Sequence, residues 1–220
     1  MSSSERKVVT LLSGGLDSTV LAYMLHRLNY LQTFISFNYG QKHLRELDCA
    51  AQTAVALNCA HHIIDLSCVN DLWQSSSIVG PQAVPEGHYA APNMASTVVP
   101  NRNMLFITFA GILAVNVGAA HVCLAVHAGD HPIYPDCRPD FISAITRTLQ
   151  LSCGVAVEAP FSGYTKSDIV LLGEQNQADF ANTWSCYKGG ARHCGLCGTC
   201  VERKEAFLLA GVDDPTVYDA

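Results

Sequence analysis

Two hydrophobic rhythms alternate along this chain. Lys7 to Leu12 is a short run of β-branched and apolar residues that stops at Ser13-Gly14-Gly15. Behind it, Leu21, Met24, Leu25 and Leu28 recur at helical spacing. Thr33 to Phe37 reads as a second strand, Gln41 to Leu57 as a second helix and Ile63 to Leu66 as a third strand. The alternation resumes with a helix over Met104–Val117, a strand over His121–Val126, a helix over Pro139–Leu151 and a strand over Val155–Ala159. Thr165 to Gly173 reads as a helix with Thr165 as N-cap and Asp168 three residues on, close to a capping box. Near-continuous apolar strands alternating with helices predict an α/β fold, a parallel five-stranded doubly wound sheet with strand order 3-2-1-4-5. Ligands of such sheets sit beyond the carboxyl ends of the strands. That places the loops Ser13–Ser18, Asn38–His43 and His127–Arg138 on one rim.

Two regions break the rhythm. Cys68 to Pro100 is long, rich in Ser, Pro and Gly and without periodicity, the profile of a lid or binding loop. Trp184 to Cys200 carries clustered cysteines. The 220 residues with 49% hydrophobic content can fill one core with room for a small appendage. The expected organisation is therefore an α/β domain over 1–183 and a zinc-binding C-terminal segment, 184–220, packed on it. Net charge is -6, only 15% of residues are charged, and lysines and arginines are scattered, which argues against a large nucleic-acid footprint. The most apolar stretch, Met104 to Val115, is too short to span a membrane and carries Thr108 and Gly111. Met1 to Lys7 is polar, with no apolar targeting core behind it. The expectation is a cytoplasmic protein, in which ten cysteines are not a disulfide framework and a cluster among them suggests metal.

Ser13-Gly14-Gly15-Leu16-Asp17-Ser18-Thr19 joins a strand to a helix. Its glycines let the backbone approach an anion, and the amides and dipole of the helix start favour phosphate. Ser13, Ser18 and Thr19 add hydroxyls, and Asp17 could hold Mg²⁺ against phosphate oxygens. There is no Gly-Lys-Ser/Thr ending, so this is not a Walker A loop. A plain strand-to-helix turn is the bland alternative. Near the other end, Cys186 is followed by Cys194, Cys197 and Cys200, the last three at two-residue gaps. Paired C-x-x-C spacings with a fourth thiolate from a preceding loop suit a closed tetrahedral zinc site. His193 is a competing ligand; a redox dithiol and a set of free buried cysteines are the other readings.

The loop S-G-G-L-D-S after the first strand resembles the PP-loop of the N-type ATP pyrophosphatases, whose members cleave ATP to AMP and pyrophosphate. Further segments resemble one family within it, the QueC-like 7-cyano-7-deazaguanine (preQ0) synthases: F-N-Y-G-Q-K-H at Phe37–His43, V-P-N-R-N at Val99–Asn103, Y-P-D-C-R at Tyr134–Arg138, T-K-S-D-I-V at Thr165–Val170 and W-S-C-Y…C-G-L-C-G-T-C at Trp184–Cys200. They run in order over nearly the whole chain. The resemblance departs at Ala125, where many relatives have Gly, and at Pro132-Ile133 in place of Ser-Gly. It implies an adenine nucleotide alpha hydrolase-like fold and a ligase for 7-carboxy-7-deazaguanine and ammonia. ATP would adenylate the carboxylate, ammonia would displace AMP to give an amide, and a second activation would dehydrate the amide to a nitrile. Mg²⁺ and Zn²⁺ are the implied metals.

Residue by residue, the resemblance assigns Leu12, Ser13, Gly14, Gly15, Leu16, Asp17, Ser18 and Thr19 to the ATP phosphates. Lys166 would neutralise the leaving pyrophosphate, and Arg102 would clamp a phosphate or a carboxylate. Tyr39, Gln41, Asp130, Tyr134, Asp136 and Arg138 are the substrate-side candidates. Asp136 and Arg138, two apart on a segment stiffened by Pro135 and Pro139, are expected to face one ligand as acceptor and cation. A homodimer is left open. An acidic chain without an appended RNA domain argues against the tRNA-thiolating rival, and a non-catalytic nucleotide sensor could dispense with Lys166 and Asp17.

Overall fold

Five strands lie side by side, all parallel, in the order β3-β2-β1-β4-β5. They are β1 (Lys7–Leu11), β2 (Leu31–Asn38), β3 (Ala60–Asp65), β4 (His121–Cys123) and β5 (Ala156–Glu158). The fold class and the strand order are those read from the apolar pattern. The computed structural model describes residues 6–220, so the polar start read as lacking a targeting core lies largely outside the described residues, at 1–5. No helix among the described residues is long and apolar enough to cross a membrane.

Parallel pairing needs a crossover between strands, and four helices supply it: α1 (Leu16–Arg27), α2 (Arg45–Ala56), α3 (Arg102–Val117) and α4 (Pro139–Cys153); α5 (Lys166–Gln175) and α6 (Gly198–Ala210) follow the last strand. Successive β1 residues point to opposite faces. Val9 packs with Ile35, Phe37, Ile107, Ala110 and Ile145 under α3 and α4. Val8 packs on the other side with Leu16, Val20, Ile169, Ala206 and Phe207, so the C-terminal helix α6 shares a core with α1 and α5. Both faces of the central strand are dry, which is why its sequence is continuously apolar rather than alternating.

Element ends differ from the sequence expectation for local reasons. Helix α2 starts at Arg45 rather than Gln41, because the Gln41 side chain ties a turn instead. Its Oε1 accepts from the Tyr39 amide at 2.8 Å and its Nε2 donates to the Phe37 carbonyl at 3.0 Å. Strand β3 begins at Ala60, earlier than the apolar residues show, since it is an edge strand whose outward side chains are polar or exposed. The long 68–100 segment is packed: two 3₁₀ turns, Ser67–Trp73 and Pro92–Thr97, bury Trp73 and Met94, and the stretch between them buries Ile78 and Tyr89, in the core on the α3 side of the sheet.

Candidate active site and metal cluster

The loop after β1 owes its path to one glycine. Gly14 has φ +87°, and a Cβ there would lie 1.8 Å from the Glu46 carbonyl oxygen at the start of α2. Only glycine permits that approach. Ser13 Oγ accepts from the Gly15 amide at 3.1 Å and lies 3.0 Å from Ser18 Oγ, which accepts from the Ser13 amide at 3.2 Å. No side chain caps α1, so its first-turn amides are left for a ligand. They face a cavity of about 220 Å³ at the carboxyl rim of the sheet, lined here by Leu12, Ser13, Gly15, Leu16, Asp17 and Ser18. Gly14 and Thr19 stand behind this wall, Thr19 being fully buried.

Lys166 enters the same cavity from the first turn of α5. The turn is fixed by the capping box read in the sequence: Thr165 Oγ1 accepts from the Asp168 amide at 3.2 Å and the Thr165 amide donates to Asp168 Oδ2 at 2.8 Å. Lys166 Nζ lies 2.6 Å from Asp17 Oδ2 and 3.5 Å from Glu202 Oε2. Burial works against its charge, but Asp17, Glu202 and Asp130 outweigh burial and hold its pKa above the ordinary lysine value. Burial also pushes the Glu202 carboxyl up, against the pull of Lys166. Asp17 Oδ1 is buried and takes no hydrogen bond among the described residues. A hard, oxygen-seeking cation such as Mg²⁺ fits an orphaned carboxylate oxygen beside a phosphate cradle. Asp130 also lines the cavity, accepting from Tyr89 Oη at 2.9 Å and facing His127 Nε2 at 3.4 Å.

The opposite end of the cavity is aromatic. Phe37 and Phe106 stack at 4.0 Å with an interplanar angle of 6°, and Tyr39 tilts against Phe106 at 5.5 Å. Tyr134, hydrogen-bonded to Thr97 Oγ1 at 2.8 Å, and Tyr187 complete the wall. Arg102, at the start of α3, sits among them, its Nη1 3.4 Å from Tyr39 Oη. Burial opposes its charge; Tyr39, Tyr187 and Asp136 more than compensate. His43 and Glu46 flank this end. Burial, with help from Arg102, lowers the His43 pKa to about 3, so that ring is neutral. Burial lifts Glu46 to about 7, against the Gln41 hydrogen bond and Arg102.

Three substrate-side expectations change. Pro135–Cys137 is a 3₁₀ turn rather than an extended segment, so the two-residue rule does not apply to Asp136 and Arg138, and their partners differ. Asp136 Oδ2 accepts from the Asn103 amide at 2.9 Å, holding the start of α3, while Arg138 Nε donates to the His131 carbonyl at 2.8 Å. Neither lines the cavity, and nor does Gln41, whose groups are spent in its turn and on Glu46. Tyr39, Asp130 and Tyr134 do line it. Sequence reasoning passed over Glu46, Tyr89, Phe106, Trp184, Tyr187 and Glu202. Trp184 and Tyr187 were visible in W-S-C-Y, a segment read only for its cysteine. Ala125, the departure from relatives, is part of the cavity wall.

The four cysteines converge as their spacing suggests. Their Sγ atoms all lie within 4.8 Å of one another, and none is in a disulfide. A tetrahedral zinc site with Zn–S of about 2.3 Å has S···S edges of about 3.8 Å; the Cys194–Cys200 pair stands at 4.0 Å. Amides of Leu196 and Cys197 donate to Cys194 Sγ at 3.4 and 3.2 Å, as thiolates prefer. Hydrogen bonds from Cys186 and Cys200 hold the Cys197 thiol far below the usual range. His193 is engaged elsewhere: its Nε2 accepts from the Ser185 amide at 3.0 Å and its ring packs on Trp184. The cluster braces the cavity, because the Trp184 amide donates to the Gly14 carbonyl at 2.9 Å and Thr199 and Glu202 are wall residues.

Comparison with known proteins agrees with this geometry. A family model described as queuosine biosynthesis protein QueC matches residues 7–211. The chain is 49% identical over 217 residues to a 7-cyano-7-deazaguanine synthase of Paracoccus denitrificans, covering 97% of this chain and 93% of that protein. It is 48% identical over 216 residues to the 7-cyano-7-deazaguanine synthase of Methanoregula boonei, covering 97% and 99%. Among solved structures, NMN synthetase from Francisella tularensis superposes with a TM-score of 0.53 at 15% identity, over 96% of this chain and 79% of that one. That likeness concerns the fold alone.

Proposed function

The chain belongs to the QueC family of queuosine biosynthesis proteins, and from that premise we propose that it converts 7-carboxy-7-deazaguanine and ammonia to 7-cyano-7-deazaguanine, driven by ATP. The observation that carries the reading is a single cavity with two chemically distinct ends. One offers open helix amides, hydroxyls and Lys166; the other offers stacked aromatics and Arg102.

ATP phosphates are assigned to the Ser13–Ser18 loop. An oxygen of the substrate carboxylate attacks the α-phosphorus, the bond to the β-phosphate oxygen breaks, and pyrophosphate leaves beside Lys166. The lysine and the α1 amides are placed before charge develops, so little reorganisation is needed as the leaving group forms. Asp17, whose Oδ1 has no hydrogen-bond partner among the described residues, would hold Mg²⁺, which would supply further neutralisation of the same charge. Arg102 holds the acid at the aromatic end, where Phe37, Phe106 and Tyr39 exclude water from the acyl adenylate. Ammonia adds to the acyl carbon, AMP departs and the amide forms. A second ATP adenylates the amide oxygen with release of pyrophosphate, and departure of AMP with loss of both protons from nitrogen gives the nitrile. The four thiolates leave no open coordination position, so zinc is assigned a structural role. The free cysteines and the family support a cytoplasmic location.

The test is incubation of the purified chain with ATP, ammonia and 7-carboxy-7-deazaguanine, followed by mass spectrometry. Acid-dependent pyrophosphate release with nitrile formation is the expected result. An amide or a conjugate as end product would withdraw the second step, and ATP cleavage indifferent to the acid would withdraw the substrate.

A further inference from the structure

The cavity holds four carboxyl groups, and three of them have partners suited to a charge. Asp17 and Glu202 flank Lys166, and Asp130 is met by Tyr89 and His127. Glu46 differs. It is 8% exposed and lines the aromatic end. Its Oε1 accepts from Gln41 Nε2 at 2.9 Å and faces His43 Nε2 at 3.5 Å, a ring that burial keeps neutral. Its Oε2 takes no hydrogen bond among the described residues. That oxygen is open to a ligand in the cavity that Glu46 lines.

The proposed substrate supplies the complement. Around the rim of a 7-carboxy-7-deazaguanine ring come the carboxylate, the O6 acceptor, the N1–H donor and the 2-amino donor, in that order. A planar guanidinium suits the first two, and a carboxyl group suits the last two. Arg102 is close enough to Glu46 to act on its charge, and both stand beside the Phe37–Phe106–Tyr39 face on which a flat ring can lie. Acceptor and cation are therefore neighbours in the cavity, as the ligand edge requires. Asp136, the acceptor expected from sequence for this edge, is occupied by the Asn103 amide.

We propose that Glu46 reads the N1–H and 2-amino edge of the deazapurine acid and so restricts the site to guanine-type rings. The proposal rests on the deazapurine acid being the substrate, and its test separates the two. Titration calorimetry with a non-hydrolysable ATP analogue present compares 7-carboxy-7-deazaguanine with the same acid lacking the 2-amino group. Loss of one charge-assisted hydrogen bond predicts roughly 10- to 100-fold tighter binding of the amino-bearing acid to the wild type. In Glu46→Gln, Gln41 Nε2 keeps the new carbonyl oxygen in its place, so the new amide presents N–H to N–H. The preference is expected to fall to within about threefold, while affinity for the ATP analogue and the melting temperature show a folded protein. Equal binding of the two acids by the wild type, or an undiminished preference in Glu46→Gln, overturns the edge assignment alone. A wild type that binds neither acid overturns the proposed substrate with it. Selective binding without nitrile formation supports the edge assignment and withdraws the reaction.

Discussion

Replacing Lys166 by Met tests the charge arrangement of the phosphate end. The lysine side chain is 16% exposed, with Asp17 Oδ2 at 2.6 Å and Glu202 Oε2 at 3.5 Å. Methionine keeps the length and removes the cation, leaving two carboxylates facing the place where phosphate charge must gather. A unit charge pair at about 4 Å is worth about 4 kcal/mol at an effective dielectric of about 20. Part of that attraction is already present with bound ATP, so the loss that acts only in the transition state is about 3 kcal/mol. That corresponds to a fall of about 100- to 300-fold in kcat, with kcat/KM for ATP falling at least as far. The assay is continuous pyrophosphate release with ATP varied at saturating acid and ammonia. Stability provides an independent reading. Breaking a buried pair costs about 3–5 kcal/mol, and the partial exposure of all three groups moves the expectation to the lower end. The Glu202 carboxyl, already raised by burial, rises further without its cation. A raised carboxyl disfavours folding as pH climbs through its folded pKa, so Lys166→Met should be least stable in alkaline buffer and recover on acidification. A variant within tenfold of wild-type kcat/KM would refute the pyrophosphate role. Lost activity together with lost folding at every pH would show the lysine to be a structural tie only.

Cys197→Ser is expected to lose bound zinc, measured by elemental analysis, together with stability comparable to that of the whole domain; full zinc content with unchanged melting would end the assignment. Arg203 is fully buried and donates to Thr183 Oγ1 at 2.6 Å, the Phe180 carbonyl at 3.1 Å and Asp214 Oδ1 at 3.2 Å. Arg203→Met strands these acceptors and should cost about 3–5 kcal/mol in urea unfolding, where a loss under about 1 kcal/mol would contradict the network. Glu46 contributes most to folding while neutral, below the ordinary carboxyl pKa, and that contribution is lost as pH rises through about 7. Glu46→Gln should therefore be more stable than the wild type at pH 8, by up to about 3 kcal/mol, with the gap closing toward pH 4.5; a gap independent of pH would show that Glu46 is not strained by burial.

The sheet was legible because its strands are buried on both faces, so Lys7–Leu12 and its successors stand out as unbroken apolar runs between helical periods. The edge strand β3 was legible only in part, since solvent lets His61 and His62 replace apolar residues there. Helix α6 was hidden: it begins inside the C-x-x-C spacing at Gly198, and its core contacts come from only a few residues, Ala206 and Phe207 among them. The Ser13–Ser18 loop holds its glycines and hydroxyls in local order, where a sequence displays them. Its meeting with Lys166, 149 residues away from Asp17, rested on resemblance and is a tertiary fact that no local spacing encodes. Asp136 and Arg138 misled because the two-residue rule holds for extended backbone, and Pro135 starts a 3₁₀ turn. Glu46 looked like one more acidic residue on an amphipathic helix. Only the approach of Gly14 to its backbone and of Arg102 to its side chain gives it a place in the cavity.

The cysteine cluster stands at the back of the phosphate loop, tied to it by the Trp184–Gly14 hydrogen bond and followed by the wall residues Thr199 and Glu202. During synthesis every strand of the sheet emerges before the last of the four cysteines. A growing, truncated or clipped chain can thus possess the complete sheet and the glycine loop while lacking a closed chamber for the acyl adenylate. The wall of the chamber is therefore complete only in a chain that carries both the glycine loop near its start and the segment that follows the last strand.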